Sequence, residues 1–431
     1  MAKQQWDNAC TQVTTCALTG ATAFFAGIPD AAVVANGPLW CYLYALRYLE
    51  KPCPSVNQSF YCAQPDENTI VYGTEERLRE VLESVRQTSR PSVLLIQNSC
   101  SISLIGDDIA GIAREADMPC PVVCIDSGGL TGGFWEGYRA AAKAYFAEMP
   151  LKQRSIVKPH TVNLLGCTFG YYNSVNDIEE LKRMLALAGY TVLACPGAGS
   201  STEEIANMTE AELNIVIHGE LGEDIAKQLK QEYGMPYLSL LPPYGVEGSL
   251  NWIKALGQVM WMSEASLLPV KQEASRLEHK IRTTTLDLQR IWGDLWFKKT
   301  LIVASTSTAL GIAQALRQEW ADTGFLTTVG YGGRQPAVAV SLIDCMQEGE
   351  KNSEAITGQV AELTGGLLLA SSNEVVMLEQ QAVQRVVCQN ICLPVYDELI
   401  LTERPFIGLH GACHMNEQLW NKYIGVCQQR K

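Results

Sequence analysis

Residues 93–113 read VLLIQNSCSISLIGDDIAGIA, and this stretch decides the fold class. Four apolar residues open it, a short polar turn holding Cys100 follows, and the remainder has helical spacing. We place a buried strand at 92–97 and a helix at 106–116, with the cysteine at the junction between them. The same scheme extends on both sides. Strands are expected at 32–35 and 122–126, and helices at 40–48, 75–88 and 133–148. The segment 16–28, CALTGATAFFAGI, reads as a small-residue loop ahead of the first strand.

Further along, strands at 161–165, 190–195, 212–217 and 237–240 alternate with helices at 174–188, 202–207 and 220–233. Residues 248–297 contain little Gly or Pro and read as one or two long helices. Strands at 299–305 and 325–330 follow, with a helix at 309–323 between them; the unit continues through 374–378 and ends in a helix at 412–427. Strand–helix alternation predicts an α/β protein with parallel sheets covered on both faces. We expect three doubly wound, Rossmann-like domains around a central cavity. They are an N-terminal domain at 1–157 carrying the ligand cysteines, a second at 158–265, an inter-domain helical segment at 266–298, and a third at 299–431.

The chain has 431 residues, 47% of them hydrophobic, which is enough for several cores. Its formal charge of −13 would repel nucleic acid and anionic lipid alike. No signal sequence and no long uncharged apolar run is evident, so the protein is expected in the cytoplasm, without membrane or nucleic-acid partners. Fifteen cysteines are then not a disulfide framework. Most read as small buried apolar residues, and a few as thiolate ligands for iron–sulfur clusters or zinc.

Three cysteines stand where ligands would stand. Cys16 precedes the first strand, Cys41 follows the Gly37-Pro38 turn, and Cys100 stands at the junction between the strand at 92–97 and the following helix. All three would project from one sheet edge near helix starts, where backbone N–H groups favour thiolates. Three thiolates are one short of the four that a cubane cluster usually takes.

These segments resemble the nitrogenase component 1 superfamily. NGPLWC at 36–41 is similar to its HGPxGC, and NSCSISLIGDDIAGIA at 98–113 to its STCxxxLIGDDI. GGFWEGYRAA at 132–141 is similar to GFxGSxxxGY, and RPFIGLHGA at 404–412 to PxxGYxGA. The stretches at 176–205 and 235–253 resemble the second domain of the family. The resemblance implies that Cys16, Cys41 and Cys100 hold an iron–sulfur cluster, either [4Fe-4S] or P-cluster-like [8Fe-7S]. It implies a homologous component 1 subunit, identical or diverged, that supplies the missing ligands at an interface. It also implies an ATP-hydrolysing iron protein as electron donor, and a substrate in the inter-domain cavity.

The chain departs from nitrogenase at LNIVIHG, 213–219, which resembles the cofactor-anchoring LNLIHC: His218 is kept, but Gly219 replaces the cysteine. A cofactor held in the nitrogenase manner is therefore not expected, and a reductase of another substrate or an assembly scaffold fits better. His218 and Cys195 are the pocket candidates. The CxxxC pairs Cys120/Cys124 and Cys388/Cys392 read as packing. The glycine-rich stretches at 126–134 and 329–334 lack the GxxxxGK[ST] and GxGxxG patterns, so ATP would be hydrolysed elsewhere. Asp107 and Asp108 read as helix caps.

Overall fold

A computed structural model describes residues 15–66, 69, 73–333, 340–351 and 353–428; Arg334, in the second glycine-rich stretch, lies outside them. Three parallel sheets organise the chain. The first comprises β1 (Ala31–Asn36), β2 (Phe60–Cys62), β3 (Val93–Asn98) and β4 (Val122–Asp126), in the order β2-β1-β3-β4. The second comprises β5 (Thr161–Leu165), β6 (Thr191–Ala194), β7 (Leu213–Val216) and β8 (Tyr237–Ser239), in the order β6-β5-β7-β8. The third has β9 (Trp296–Ser305), β10 (Asp322–Tyr331), β11 (Cys345–Glu348), β12 (Leu367–Ala370) and β13 (Val387–Asn390), in the order β11-β10-β9-β12-β13. Each sheet reverses its strand order beside its first strand, where α/β sheets carry their binding crevices.

β1 and β3 are buried at every position, which is why they read as unbroken apolar runs. One apolar cluster joins Phe24 and Tyr138 of the first unit to Leu221 of the second and Leu301 of the third. Another joins Leu164, Trp252 and Ile302 to Trp420 of the C-terminal helix Gly408–Gln428. Burial on this scale fixes the three units against one another. A 29-residue helix, Glu264–Trp292, crosses towards β9 and packs along the C-terminal helix.

Several elements differ from the reading above. Residues Ala17–Ala26 form a helix with all ten residues buried, not a loop. The helix expected at 106–116 is two, Cys100–Ile105 and Ile109–Glu115, because Gly106 takes a left-handed conformation with φ 85°. Residues 374–378, given no element type from the sequence, lie in the helix Ser372–Gln380. The strand expected at 299–305 starts at Trp296, and the helix at 309–323 gives way to a π-helical turn, Leu316–Trp320, and β10.

Candidate functional site

The carboxyl ends of the first sheet bring the three motif cysteines to one edge. Cys16 caps the N-terminus of the helix Ala17–Ala26, and its segment is stitched to the loop after β4 by a bridge to Gly133. Cys41 lies in the first turn of the helix Leu39–Leu49, just past β1, and its N–H bonds the carbonyl of Pro38 at 3.0 Å. Cys100 opens the helix Cys100–Ile105 directly after β3. Each sulfur therefore sits at a helix start, whose partial positive charge stabilises a thiolate.

The loop after β4 closes around two of them. Gly129 N–H donates to Cys100 Sγ at 2.8 Å. A side chain at Gly129 would place its Cβ in van der Waals contact, 3.4 Å from Cys16 Cβ and 3.6 Å from Cys100 Sγ, and would occupy the space beside them. The Cys41 thiol is pushed up by burial, then by the thiols of Cys16, Cys100 and Cys62. Like charges on neighbouring thiolates disfavour one another until a cation arrives.

Among the described residues no three Cys, His, Asp or Glu side chains stand close enough for a single metal ion. An all-sulfur donor set, spread wider than one ion and facing a glycine cradle, fits an iron–sulfur cluster. Trp40, Leu104 and Leu130 surround the cysteines and are 73%, 76% and 71% exposed, an apolar rim at the surface.

A second constellation lies where the three units meet. Trp135 Nε1 donates to the Tyr171 hydroxyl at 2.8 Å, which donates to Glu220 Oε1 at 2.9 Å. Ser307 Oγ donates to the same carboxylate oxygen at 2.8 Å and lies 2.7 Å from His218 Nδ1. With the serine proton committed to Glu220, His218 must carry its proton on Nδ1 and leave Nε2 as acceptor. Burial holds the histidine pKa below its usual value, consistent with that neutral tautomer. Glu220 is 1% exposed, and its Oε2 has no protein partner.

The same Glu220 borders a cleft of about 760 Å³ between the second and third units, with Lys227, Tyr244, Trp252 and Gln314 on its walls. The space at the centre of the three units, beside His218, Asp177 and Cys392, is only about 50 Å³. Room for a ligand is therefore beside the centre, not at it.

The family described as nitrogenase component 1 type oxidoreductase matches residues 16–423. The chain belongs to that family. It is 24% identical over 290 residues to the nitrogenase iron-molybdenum cofactor biosynthesis protein NifE of Methanosarcina barkeri, covering 62% of each chain. It is 30% identical over 251 residues to a light-independent protochlorophyllide reductase polypeptide of Methylocella silvestris, covering 56% of this chain and 46% of that one. The chain thus spans less than two thirds of these relatives' length. A solved structure titled Nitrogenase Cp1 at pH 5 superposes over 96% of this chain and 88% of its own, with TM-score 0.76 and 18% identity, which establishes the shared fold.

Within this component 1 chain, the remaining sequence candidates fall elsewhere. Cys195 is 2% exposed beyond β6 and borders neither cavity; its thiol meets that of Cys167, which does line the small central space. Cys120 and Cys124 pack against the outer core of the first unit, Cys388 and Cys392 against the inner ones. Asp108 caps its helix through Gly111 N–H at 2.8 Å, and Asp107 accepts from Thr74 N–H at 2.6 Å. His410 bridges the carboxylates of Glu180 and Glu273. Sequence reasoning passed over Cys62, Tyr171, Glu220 and Ser307. A carboxylate directly after Gly219 was the one signal that could have flagged the second site.

Proposed function

We propose that this chain is the iron–sulfur subunit of a nitrogenase-like reductase, with Cys16, Cys41 and Cys100 as cluster ligands. The observation that carries the reading is the placement of three cysteines at helix starts along one edge of the first sheet, with Gly129 set against Cys16 and Cys100. An iron–sulfur cluster held there supplies one-electron transfer at low potential. The chain has no phosphate-cradling motif, so electrons would come from a separate ATP-hydrolysing iron protein in the cytoplasm. A homologous component 1 subunit would cover the apolar rim of Trp40, Leu104 and Leu130, since an exposed apolar patch beside a buried site is what an interface removes from water. No helix among the described residues is long and apolar enough to cross a membrane.

The substrate would occupy the cleft beside Glu220. The walls combine apolar Leu240, Leu241, Pro242 and Trp252 with polar Lys227, Asn251 and Gln314. Such a mixture suits an organic molecule with few polar groups. Reduction consumes protons as well as electrons. Glu220, at the edge of the cleft, can hold one on its unpartnered Oε2, while Tyr171 and Ser307 fix Oε1.

A second reading, a scaffold for metallocluster assembly, is favoured by the similarity to the cofactor biosynthesis protein NifE. A scaffold would hand its cluster to a recipient protein and turn nothing over. The test common to both is anaerobic purification with iron and sulfide analysis and EPR after dithionite reduction. The reading expects about two to four irons per chain and their loss in Cys41→Ala. A Cys41→Ala variant with unchanged iron and spectrum would overturn it.

A further inference from the structure

We infer that Gly219 sets the size limit of the molecule that the cleft beside Glu220 accepts. The inference rests on the reading of that cleft as the substrate site and deepens it. The occupant is a bulky, largely apolar organic molecule that extends into the space a side chain on Gly219 would fill.

Gly219 opens the helix Gly219–Tyr233, just past the carboxyl end of β7. The fold makes none of its usual demands for glycine there. The φ of Gly219 is not positive, so its backbone conformation is open to any residue. A Cβ built on it meets nothing within 4 Å beyond its immediate chain neighbours, so no close approach of backbones requires its absence. Glycine also weakens a helix relative to alanine, so helix stability gains nothing from it. Two nearby glycines show the contrast. A Cβ on Gly222 would fall 2.8 Å from Gly166 N, and one on Gly311 would fall 2.7 Å from Tyr244 Cδ2. Those two serve packing, whereas Gly219 borders the cleft and leaves room in it.

The walls of the cleft are held at a fixed separation. Three helices supply most of them: Gly219–Tyr233, Val246–Val259 and Thr306–Ala315. Ser307 Oγ donates to Glu220 Oε1 at 2.8 Å, which ties the third of these helices to the first. Glu319 lies in the π-helical turn that continues the third and holds the start of the second. Its carboxylate accepts from the N–H groups of Val246 and Glu247 at 2.7 and 2.8 Å, and from Gly248 N–H at 3.3 Å. Gly245 turns with φ 78°, and a Cβ on it would fall 2.2 Å from Glu319 Oε1. Carboxylate and backbone are thus in direct contact, and the walls resist spreading. Volume added at Gly219 is taken from the ligand. At about 760 Å³ the cleft otherwise has room for a molecule of several rings.

The test uses the full chain and two neutral aromatic probes, phenylnaphthylamine and the smaller indole. Binding of the first is read by its fluorescence, and that of the second by saturation-transfer NMR. Gly219→Leu should weaken phenylnaphthylamine by about tenfold or more and change indole by less than about twofold. Gly219→Ala should give an intermediate loss and a melting temperature equal to or above the wild type's, because nothing clashes and helix propensity improves. Gly425→Leu, on the C-terminal helix where a Cβ also meets nothing, should leave both probes unchanged. Ser239→Trp, which fills the cleft from the exposed end of β8, should weaken both. If Ser239→Trp weakens phenylnaphthylamine while Gly219→Leu does not, the cleft reading stands and Gly219 is not its limit. Equal weakening of both probes by Gly219→Leu, or a lower melting temperature for Gly219→Ala, overturns the proposal in the same way. Phenylnaphthylamine that binds every cleft variant alike, or binds none, overturns the cleft reading as well.

Discussion

At the residue scale, two buried carboxyls give the protein a pH dependence distinct from its cluster chemistry. Burial pushes Asp177 up to about 7 and Glu374 up to about 7. Asp177 accepts from the N–H groups of Phe406 and Ile407, and Glu374 from the Ser371 N–H and hydroxyl. The second Glu374 oxygen makes no hydrogen bond to compensate its burial, which disfavours the charged form. Both folded-state values lie above the usual carboxylate values of 3.8 and 4.5. Between those values and about 7 the folded chain holds protons that the unfolded chain has released. The stability contribution is thus complete at the acid side of this window and lost as pH rises through it. We expect urea stability to fall by on the order of a few kcal/mol between pH 5 and 8. Glu374→Gln should flatten roughly half of that fall and exceed the wild type at pH 8. Identical pH slopes in the two proteins would show that Glu374 is ionised throughout.

At the scale of elements, the sequence was legible wherever one periodicity dominated. β1, β3, β4, β5 and β7 lie where their apolar runs placed them. The helix Ala17–Ala26 was not, because it is buried on every side and has no polar face to set a 3.6-residue rhythm. Residues 374–378 drew no element type from the sequence. Ser371 and Glu374 form a reciprocal capping box that starts a helix there. That S-x-x-E signal was present in the sequence. The buried helix also explains the glycine in the GGFWEGYRAA motif. A Cβ on Gly137 would fall 1.8 Å from the carbonyl oxygen of Ala17, and one on Gly20 equally close to that of Phe134. The two helices touch backbone to backbone, and Cys16 rides on the end of one of them. Gly137→Ala must push them apart, at a cost of about 1–3 kcal/mol. Thermal melting should register the loss, and iron uptake should weaken because Cys16 moves away from Gly129. An unaltered melting temperature would mean that the helix pair has slack.

At the scale of the whole molecule, the candidate site divides into a legible half and a hidden half. Cys16, Cys41 and Cys100 could be read because each follows or precedes a strand in a recurring motif. The hydrogen-bonded network around His218 could not, beyond the histidine itself, because it joins Trp135 of the first unit, Tyr171 and Glu220 of the second and Ser307 of the third and exists only once the sheets pack. That origin makes it a probe of how the units are joined. Ser307 is the sole member from the third unit, and it satisfies two buried groups at once: it donates to Glu220 Oε1 and accepts from His218 Nδ1. Ser307→Ala leaves Glu220 with one donor from Tyr171 and strands the histidine N–H. Each orphaned group costs about 1–3 kcal/mol, so a loss of about 2–4 kcal/mol in urea unfolding is expected. Independent contributions would be additive with a change at Glu220. A shared hydrogen bond predicts otherwise, because Glu220→Gln already weakens the acceptor that Ser307 serves. The double variant Ser307→Ala/Glu220→Gln should therefore lose less than the two single losses combined, by about 1 kcal/mol or more. Additivity within experimental error would separate the two residues energetically and remove the basis for proton delivery through this network.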